Sequence, residues 1–391
     1  MVKEGFVASD GWDIKGDTAW FTGIEYNAIF KTNLQTLECE IVCQLPVDDL
    51  WAARVNPICI KLEDYIVCLP SLNSSIYLYN IKDNSFQELH IDMPEKVSPD
   101  ILHYWYDIKL ECVFAFSRGL QRVLTIDIKN QKVLLSDRIN EHINARYAIR
   151  VEQYLWLPNS LDNRIFSYNL YTGEINEYLL SNVKGRLYAI CYDGAYFWIT
   201  GNRREIYRWK KGDDLVSIIN DFPDEFYEYT IYEENMGFMK ETFNEVPFVY
   251  CVYCSNSIWC IPYQTNMILG IDKDTHAICG IDGGETAGDI LNRVYNHKYL
   301  LEYIREDRYI GLFSLCENCI FELDTQKYKM EKRDYYLVKE KIEDHNFPVF
   351  YESGINKFFY QTFLERKESN TNKEMLRTGR KLYNKIVKQH K

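Results

Sequence analysis

Seven segments of the chain repeat one pattern of apolar and polar positions. Each segment has an apolar pair, and three residues beyond it stands an Asn, Asp or Lys that leads into a turn. The pairs are Ile29-Phe30, Ile76-Tyr77, Val123-Leu124, Ile165-Phe166, Ile206-Tyr207, Ile268-Leu269 and Ile320-Phe321, and the polar residues are Asn33, Asn80, Asp127, Asn169, Lys210, Asp272 and Asp324.

The repeats follow one another after 47, 47, 42, 41, 62 and 52 residues. A period of roughly 40–50 residues with strand-like content is typical of a β-propeller. The pattern therefore predicts an all-β, seven-bladed propeller of four-stranded blades over residues 1–335. In the fourth repeat the four strands are expected at 147–151, 154–158, 165–170 and 174–180. The segment 5–9 either completes the last blade or begins the first.

Beyond residue 335 the pattern becomes helical, which predicts a C-terminal α-helical extension over residues 336–391. Thr371 and Glu374 form a capping box, and the following apolar stripe predicts partner-binding residues: Met375, Leu376, Leu382, Tyr383 and Ile386. The helix has three readings: packing on the propeller or a second copy, docking into a partner's groove, or lying on an anionic membrane surface.

Two connections are longer than the period requires. Residues 221–245 hold eight acidic residues and one lysine, and residues 283–298 form the second insertion. Extra loop length in a closed repeat fold projects from the surface. Each insertion is either a binding loop or a tolerated, solvated one.

Composition narrows the classes of function. The net charge of −12 argues against a nucleic-acid-binding protein. The first residues do not resemble a signal peptide. No apolar run approaches the ~20 residues that a membrane span needs. The 12 cysteines are scattered through predicted strands, as buried reduced thiols are. We expect a soluble cytoplasmic protein.

The segments Trp20-Phe21-Thr22 and Asn27-Ala28-Ile29 resemble the blade motif of streptogramin-lyase-like propellers, as do Leu157-Pro158, Asn163-Arg164-Ile165 and Thr172-Gly173-Glu174. The resemblance implies a seven-bladed propeller of the same kind. Those lyases use histidine and glutamate around a magnesium ion. Here His276 falls in a predicted outer strand and His297 in a connection, without matching partners, so the catalytic roles are not carried over.

A group of basic residues precedes predicted inner strands. Because the connections into these strands surround one mouth of the channel, their side chains would converge on an anion. The predicted ligand-binding residues are Arg54, Arg146, Arg186, His103 and Lys298. The alternative is structural: the arginines pair with acids such as Asp48, Asp49 or Glu141, or cap loop carbonyls.

No metal or cofactor site is predicted. Cys251 and Cys254 precede a turn between the first two strands of their blade, whereas Cys316 and Cys319 bracket a turn on the opposite face, so the four sulfurs cannot share one zinc ion. Nucleophile and phosphate-loop motifs do not occur in the sequence.

These observations lead to two hypotheses. The first is a non-enzymatic scaffold that binds an acidic peptide or small anion at an arginine-rimmed mouth, with a protein partner docking on the propeller face or the C-terminal helix. The second is a lyase or hydrolase, streptogramin-lyase-like or carbohydrate-active, with its site at the same mouth.

Overall fold

The computed structural model describes residues 9–24, 27–47, 55–93, 97–139, 143–228, 246–263, 265–283, 299–314, 319–333 and 336–337. All regular elements in these ranges are β-strands. No helix of this part of the chain is long and apolar enough to cross a membrane.

The strands form seven sheets that follow the seven sequence repeats. The first three blades contain β1 (Asp13–Lys15), β2 (Thr18–Thr22), β3 (Ala28–Asn33), β4 (Glu38–Gln44); β5 (Ile58–Lys61), β6 (Tyr65–Leu69), β7 (Ser75–Asn80), β8 (Ser85–His90); β9 (Ile101–Asp107), β10 (Cys112–Ser117), β11 (Arg122–Asp127), β12 (Lys132–Leu135).

The remaining blades contain β13 (Ile149–Val151), β14 (Tyr154–Pro158), β15 (Arg164–Asn169), β16 (Ile175–Leu179); β17 (Leu187–Tyr192), β18 (Phe197–Gly201), β19 (Ile206–Trp209), β20 (Ser217–Ile219); β21 (Phe248–Cys254), β22 (Ser257–Pro262), β23 (Met267–Asp272), β24 (Ile278–Asp282); β25 (Tyr299–Arg305), β26 (Tyr309–Ser314), β27 (Cys319–Asp324), β28 (Lys329–Arg333). A short strand, β29 (Tyr336–Leu337), pairs in parallel with β4.

The all-β, seven-bladed propeller of four-stranded blades is thus confirmed, and each apolar pair lies in the third strand of its blade. The predicted strands of the fourth repeat are correct to within about two residues. His276 is an exception to the predictions: it lies in the turn before β24, with a φ of 62°, rather than in the outer strand. Residues 336–337, where the C-terminal helical extension is predicted to begin, form strand β29 instead. The rest of the predicted extension, with Met375, Leu376, Leu382, Tyr383 and Ile386, lies outside the described residues.

The polar residue of the repeat builds the turn between the third and fourth strands. In six blades its side-chain oxygen accepts hydrogen bonds from backbone N–H groups two or three residues later, as at Asn33, where Gln35 N donates over 2.7 Å. The same contact occurs at Asn80, Asp127, Asn169, Asp272 and Asp324. Asn and Asp suit this role because their short side chains mimic a turn backbone. The fifth blade, with Lys210, is the exception.

The ring closes between the first and last blades. Segment 9–12 runs beside the inner strand of blade 7, where Trp12 N donates to Glu302 O over 2.7 Å and Ser9 Oγ donates to the Glu302 carboxylate. The segment leads directly into β1, the inner strand of the first blade, whereas residues 5–8 lie outside the described residues. On the outside, Arg333 donates to Leu34 O over 2.9 Å.

Candidate functional site

The strand order places two sets of loops on one face of the ring. Neighbouring strands within a blade are antiparallel, so the connection into each inner strand lies at the same end as the turn between the second and third strands. We call this end the entry face. Arg146 and Arg186 lie in such connections, and Arg118 lies in a turn between second and third strands.

Arg146 and Arg118 are close neighbours on the entry face. Burial, and then the positive charge of Arg118, lower the pKa of Arg146. Arg118 forms an ion pair with Asp100, which lies at the start of β9. Arg146 makes no ion pair with any residue that the structure describes, and its buried Nε has no hydrogen-bond partner there. Two guanidinium groups therefore lie near the carboxylate of Asp100, which is already paired with one of them.

Tyrosine side chains lie below the two arginines. The Tyr147 ring lies 5.4 Å from the Tyr188 ring and 5.6 Å from the Tyr250 ring, measured between centroids. Tyr147 precedes the inner strand of blade 4, and Tyr250 belongs to blade 6. The contact between their rings therefore joins two blades that are not neighbours, on the inner side of blade 5. Tyr104 reaches inward from blade 3, because a Cβ built on Gly11 would lie 3.7 Å from its hydroxyl oxygen. These rings narrow the interior below the mouth.

The tyrosine hydroxyls remain protonated at neutral pH. Burial raises the pKa of Tyr147 and of Tyr188, and the positive charge of Arg118 opposes the rise in both. Neither hydroxyl bonds to another residue within the described ranges. Each is therefore a donor that points to no protein acceptor, beside guanidinium groups that also donate.

Bulges in the inner strands help to place these rings. The pairing register between the first and second strands shifts near the entry-face ends of β9, β17 and β21. In β25 the same shift occurs two residue pairs further from the entry face. A bulge inserts one unpaired residue and re-aims the side chains around it. Tyr188 lies within the bulge of β17 and Tyr250 directly after that of β21.

The structure locates the predicted ligand-binding residues in different places. Arg186 is held by its backbone, with its N–H donating to Asn202 Oδ1 over 2.7 Å. His103 lies in β9, with its ring 5.8 Å from that of Trp105, and burial together with the charge of Arg150 lowers its pKa to about 4. His103 is therefore a neutral side chain at pH 7. Arg54 and Lys298, and the acids Asp48, Asp49 and Glu141, lie outside the described residues.

Sequence reasoning missed Arg118, Tyr147 and Tyr188. A signal was available for the tyrosines, since one stands in or just before the inner strands of four successive repeats, at Tyr104, Tyr147, Tyr188 and Tyr250. Arg118 carries no such signal, because it lies in a turn far along the sequence from Arg146. Among the described residues there is no cluster of three or more His, Cys, Asp or Glu side chains able to hold a metal ion.

Gly201, at the end of β18, allows a close approach of the connection that carries Arg186. A Cβ on Gly201 would lie 2.2 Å from Arg186 O. We expect Gly201→Ala to lower the free energy of unfolding by about 1 to 3 kcal/mol, because a backbone oxygen must move. Gly280→Ala is the matched control, since its new Cβ would lie 2.7 Å from the sulfur of the flexible Met267 side chain and 3.4 Å from Pro223 Cγ, and no backbone atom is in its way. Urea denaturation of both variants checks the difference; equal losses would contradict the close approach.

Comparisons with known proteins agree with the class of fold. No protein-family model matches the chain, and no curated protein matches it. A streptogramin B lyase structure is similar with 14% identity and a TM-score of 0.55 over 81% of this chain and 92% of that one. Virginiamycin B lyase from Staphylococcus aureus has 12% identity and a TM-score of 0.55 over 81% and 96% of the two chains. The computationally designed Ika8 protein has 8% identity and the same TM-score over 86% and 91%.

The resemblance to streptogramin-lyase propellers is therefore confirmed at the level of the blades. At identities this low the likeness shows the fold alone, because one propeller architecture carries many unrelated sites.

Proposed function

We propose that this chain is a recognition propeller that binds a small anion or an acidic peptide at its entry face, without catalysis. Arg146 is the observation that carries the proposal. Arg146 is half-buried, and its buried Nε has no hydrogen-bond partner among the described residues. A partly buried guanidinium without an anionic partner is costly, and the neighbouring charge of Arg118 adds to the cost. An anionic ligand would relieve both, with charge-assisted hydrogen bonds from the two guanidinium groups.

The surrounding groups support the same chemistry. The hydroxyls of Tyr147 and Tyr188 are donors next to the two arginines, and the body of the protein carries a net charge of −12. A positive focus in an acidic body attracts anions selectively to one place. Arg54, Arg186 and Lys298 remain proposed members of this site, and His103 remains one only as a neutral hydrogen-bond donor.

Arg146→Met tests the proposal with two readouts. We expect the affinity for citrate and for a hexaglutamate peptide, measured by isothermal titration calorimetry, to fall at least tenfold, because a charged hydrogen bond contributes about 1.5 to 3 kcal/mol. We also expect the urea midpoint to stay the same or rise, because methionine fills the space without a buried charge. A purely structural arginine would give the reverse: lower stability and unchanged affinity.

Arg164→Met is the matched control. Arg164 lies at the start of β15 on the same face, but its guanidinium group is already bonded to Asp162 and lies 3.2 Å from Glu177. We expect this variant to bind both probes as the wild type does. If the wild type binds neither probe, or if Arg146→Met binds as tightly as wild type, the proposed site is wrong.

The alternative is a lyase or hydrolase at the same mouth, which the likeness to lyase propellers favours. It predicts turnover that depends on a divalent cation and a substrate bond broken at the entry face. The described groups at this mouth are mainly guanidinium and phenol, which donate to anions, and this chemistry supports binding over metal-assisted catalysis.

A further inference from the structure

The turn between the third and fourth strands of blade 5 differs from the other six. Lys210 replaces the Asn or Asp that accepts backbone hydrogen bonds in the other blades. This turn depends instead on Gly212, with a φ of +97°, and on two contacts: Asp213 N donates to Lys210 O over 3.0 Å, and Trp209 Nε1 donates to Asp213 O over 3.1 Å. The backbone at Lys211 is thus held by hydrogen bonds of the residues before it, Trp209 and Lys210, to Asp213 after it.

Lys211 stands where most blades have an apolar side chain. The equivalent position packs against the core as Leu34, Ile81, Ile128 or Leu170 in four other blades. The exposed Lys211 instead extends over aromatic rings of blade 4. Its Nζ lies 5.0 Å from the Tyr154 centroid, 5.8 Å from that of Trp156 and 6.0 Å from that of Tyr178.

These three rings form a cage with rigid walls between blades 4 and 5, and Lys211 reaches it from the face of the ring opposite Arg146. Trp156 and Trp209 are each 3% exposed. The Tyr178 centroid lies 5.5 Å from that of Trp156 and 5.3 Å from that of Trp209, and Trp156 packs on Phe197 at 4.4 Å. Rings packed in this way are held in place before any ligand arrives, which lowers the entropic cost of binding.

The cage holds a cation without help from a carboxylate. Lys211 makes no ion pair with any residue in the described ranges, so the faces of the rings are the groups that attract its ammonium. Aromatic faces attract cations within about 6 Å of the ring centroid, and cages of this kind recognise quaternary ammonium groups.

The distances suit a methylated cation better than a bare ammonium group. A methyl carbon lies about 1.5 Å from its nitrogen, and carbon atoms in contact lie about 3.5 to 4.0 Å apart. A trimethylammonium nitrogen therefore lies at most about 5.0 to 5.5 Å from a ring that its methyl groups touch. The separation of Lys211 Nζ from Tyr154 falls in this range and the separations from Trp156 and Tyr178 exceed it, so the rings leave room for methyl groups around a nitrogen at this position.

We propose that Tyr154, Trp156 and Tyr178 form a binding site for trimethylammonium groups, and that Lys211 is its built-in occupant. A ligand displaces the Lys211 side chain into solvent and places its own methylated nitrogen among the rings. The site is separate from the mouth that holds Arg146, since its rings belong to the cluster packed between blades 4 and 5.

Lys211→Ala and Lys211→Leu test this proposal as a pair. Both variants lose the charge, but alanine empties the cage whereas leucine fills it with an apolar group. We expect Lys211→Ala to bind tetramethylammonium about two- to thirtyfold more tightly than wild type in isothermal titration calorimetry, the range that loss of a competing cation–π contact gives. Lys211→Leu should bind more weakly than Lys211→Ala, and adding Tyr178→Leu to Lys211→Ala should remove the gain.

Three controls make the result decisive. Ammonium chloride at equal ionic strength should not compete, and Lys210→Ala should behave as wild type because Lys210 lies over another ring, that of Tyr196. Choline and a peptide with one trimethyl-lysine then distinguish the source of the group: binding of either supports the site. If Lys211→Ala binds tetramethylammonium no more tightly than wild type, or if ammonium competes equally, the cage is only a structural clamp and the proposal fails.

Discussion

Replacement of Phe21 by Ala is expected to lower the free energy of unfolding by about 3 to 5 kcal/mol. Phe21 is 0% exposed and lies in the middle of a stack of four rings. Its centroid lies 5.2 Å from that of Trp12 and 5.5 Å from that of Phe30, and Trp12 in turn lies 5.3 Å from Tyr303. The stack joins the first blade to the last.

The position of this stack explains the size of the effect. A propeller ring has one place where the two ends of the repeat array must meet, and no disulfide crosses it within the described ranges. The cluster at this place contains residues of blade 1 together with Leu300, Tyr303, Phe313 and Ile320 of blade 7. A cavity here weakens the contact between blades as well as the packing within blade 1.

Urea denaturation measures the change, and Tyr171→Ala is the control. Tyr171 is also aromatic but is 68% exposed in the turn of blade 4, so its loss should change the free energy of unfolding by no more than about 0.5 kcal/mol. A loss below about 1 kcal/mol for Phe21→Ala would mean that the ring is closed without the stack, by the hydrogen bonds that the Trp12 N–H and the Arg333 side chain donate to backbone carbonyls.

The architecture could be predicted from the sequence because it repeats. The apolar pairs, such as Ile165-Phe166, are buried third-strand residues whose spacing is imposed by one blade, and Asn33 or Asp272 builds the next turn through contacts within three residues. These are local rules, and a local pattern in the sequence is enough to express them.

The mouth could be predicted only in part, because it depends on contacts between blades. The place of Arg146 before an inner strand marks it as a candidate in the sequence. Its neighbour Arg118 comes from another blade and another kind of turn, and the contact of Tyr147 with Tyr250 passes blade 5 inside the ring. Such neighbours follow from ring closure and from bulges that re-aim side chains, neither of which has a repeating sequence signal.

The aromatic cage at Lys211 could not be predicted from the sequence either. The sequence marked Lys210 as a member of the repeat without indicating that it breaks the turn chemistry of the other six. The consequence is visible only where the rings of blade 4 meet the turn of blade 5. A departure from a repeat is therefore informative once the partner of that position is known.

The second large effect is a loss of stability at acid pH. We expect the stability of the wild type to fall, through His103 alone, by about 3 kcal/mol between pH 7 and pH 4. The unfolded chain binds a proton at His103 near pH 6.5, whereas in the folded protein burial and the charge of Arg150 lower this pKa to about 4. The unfolded state therefore holds more protons between these two values, so the contribution is fully present above pH 6.5 and is lost as the pH falls towards 4.

The packing around His103 explains why the ring stays neutral. Trp105 lies beside it, with the Arg150 guanidinium 5.4 Å from the Trp105 ring centroid. The carboxylate of Asp107 lies 3.7 Å from the Arg150 guanidinium and pairs with it rather than with the imidazole. Protonation would place a second positive charge between blades 3 and 4 without an anion of its own.

His103→Phe isolates this contribution from the protonation of carboxylates, which destabilises any acidic protein below pH 5. Phenylalanine keeps a ring against Trp105 but takes up no proton. The difference in free energy of unfolding between wild type and variant, measured in urea at pH 7, 5.5 and 4, should shift by about 3 kcal/mol in favour of the variant at the lowest pH. His90→Phe is the control, because the His90 side chain is 68% exposed, and it should follow the wild-type profile. Parallel profiles for wild type and His103→Phe would mean that His103 accepts its proton in the folded ring, and the interface between blades 3 and 4 would then have to open towards solvent at acid pH.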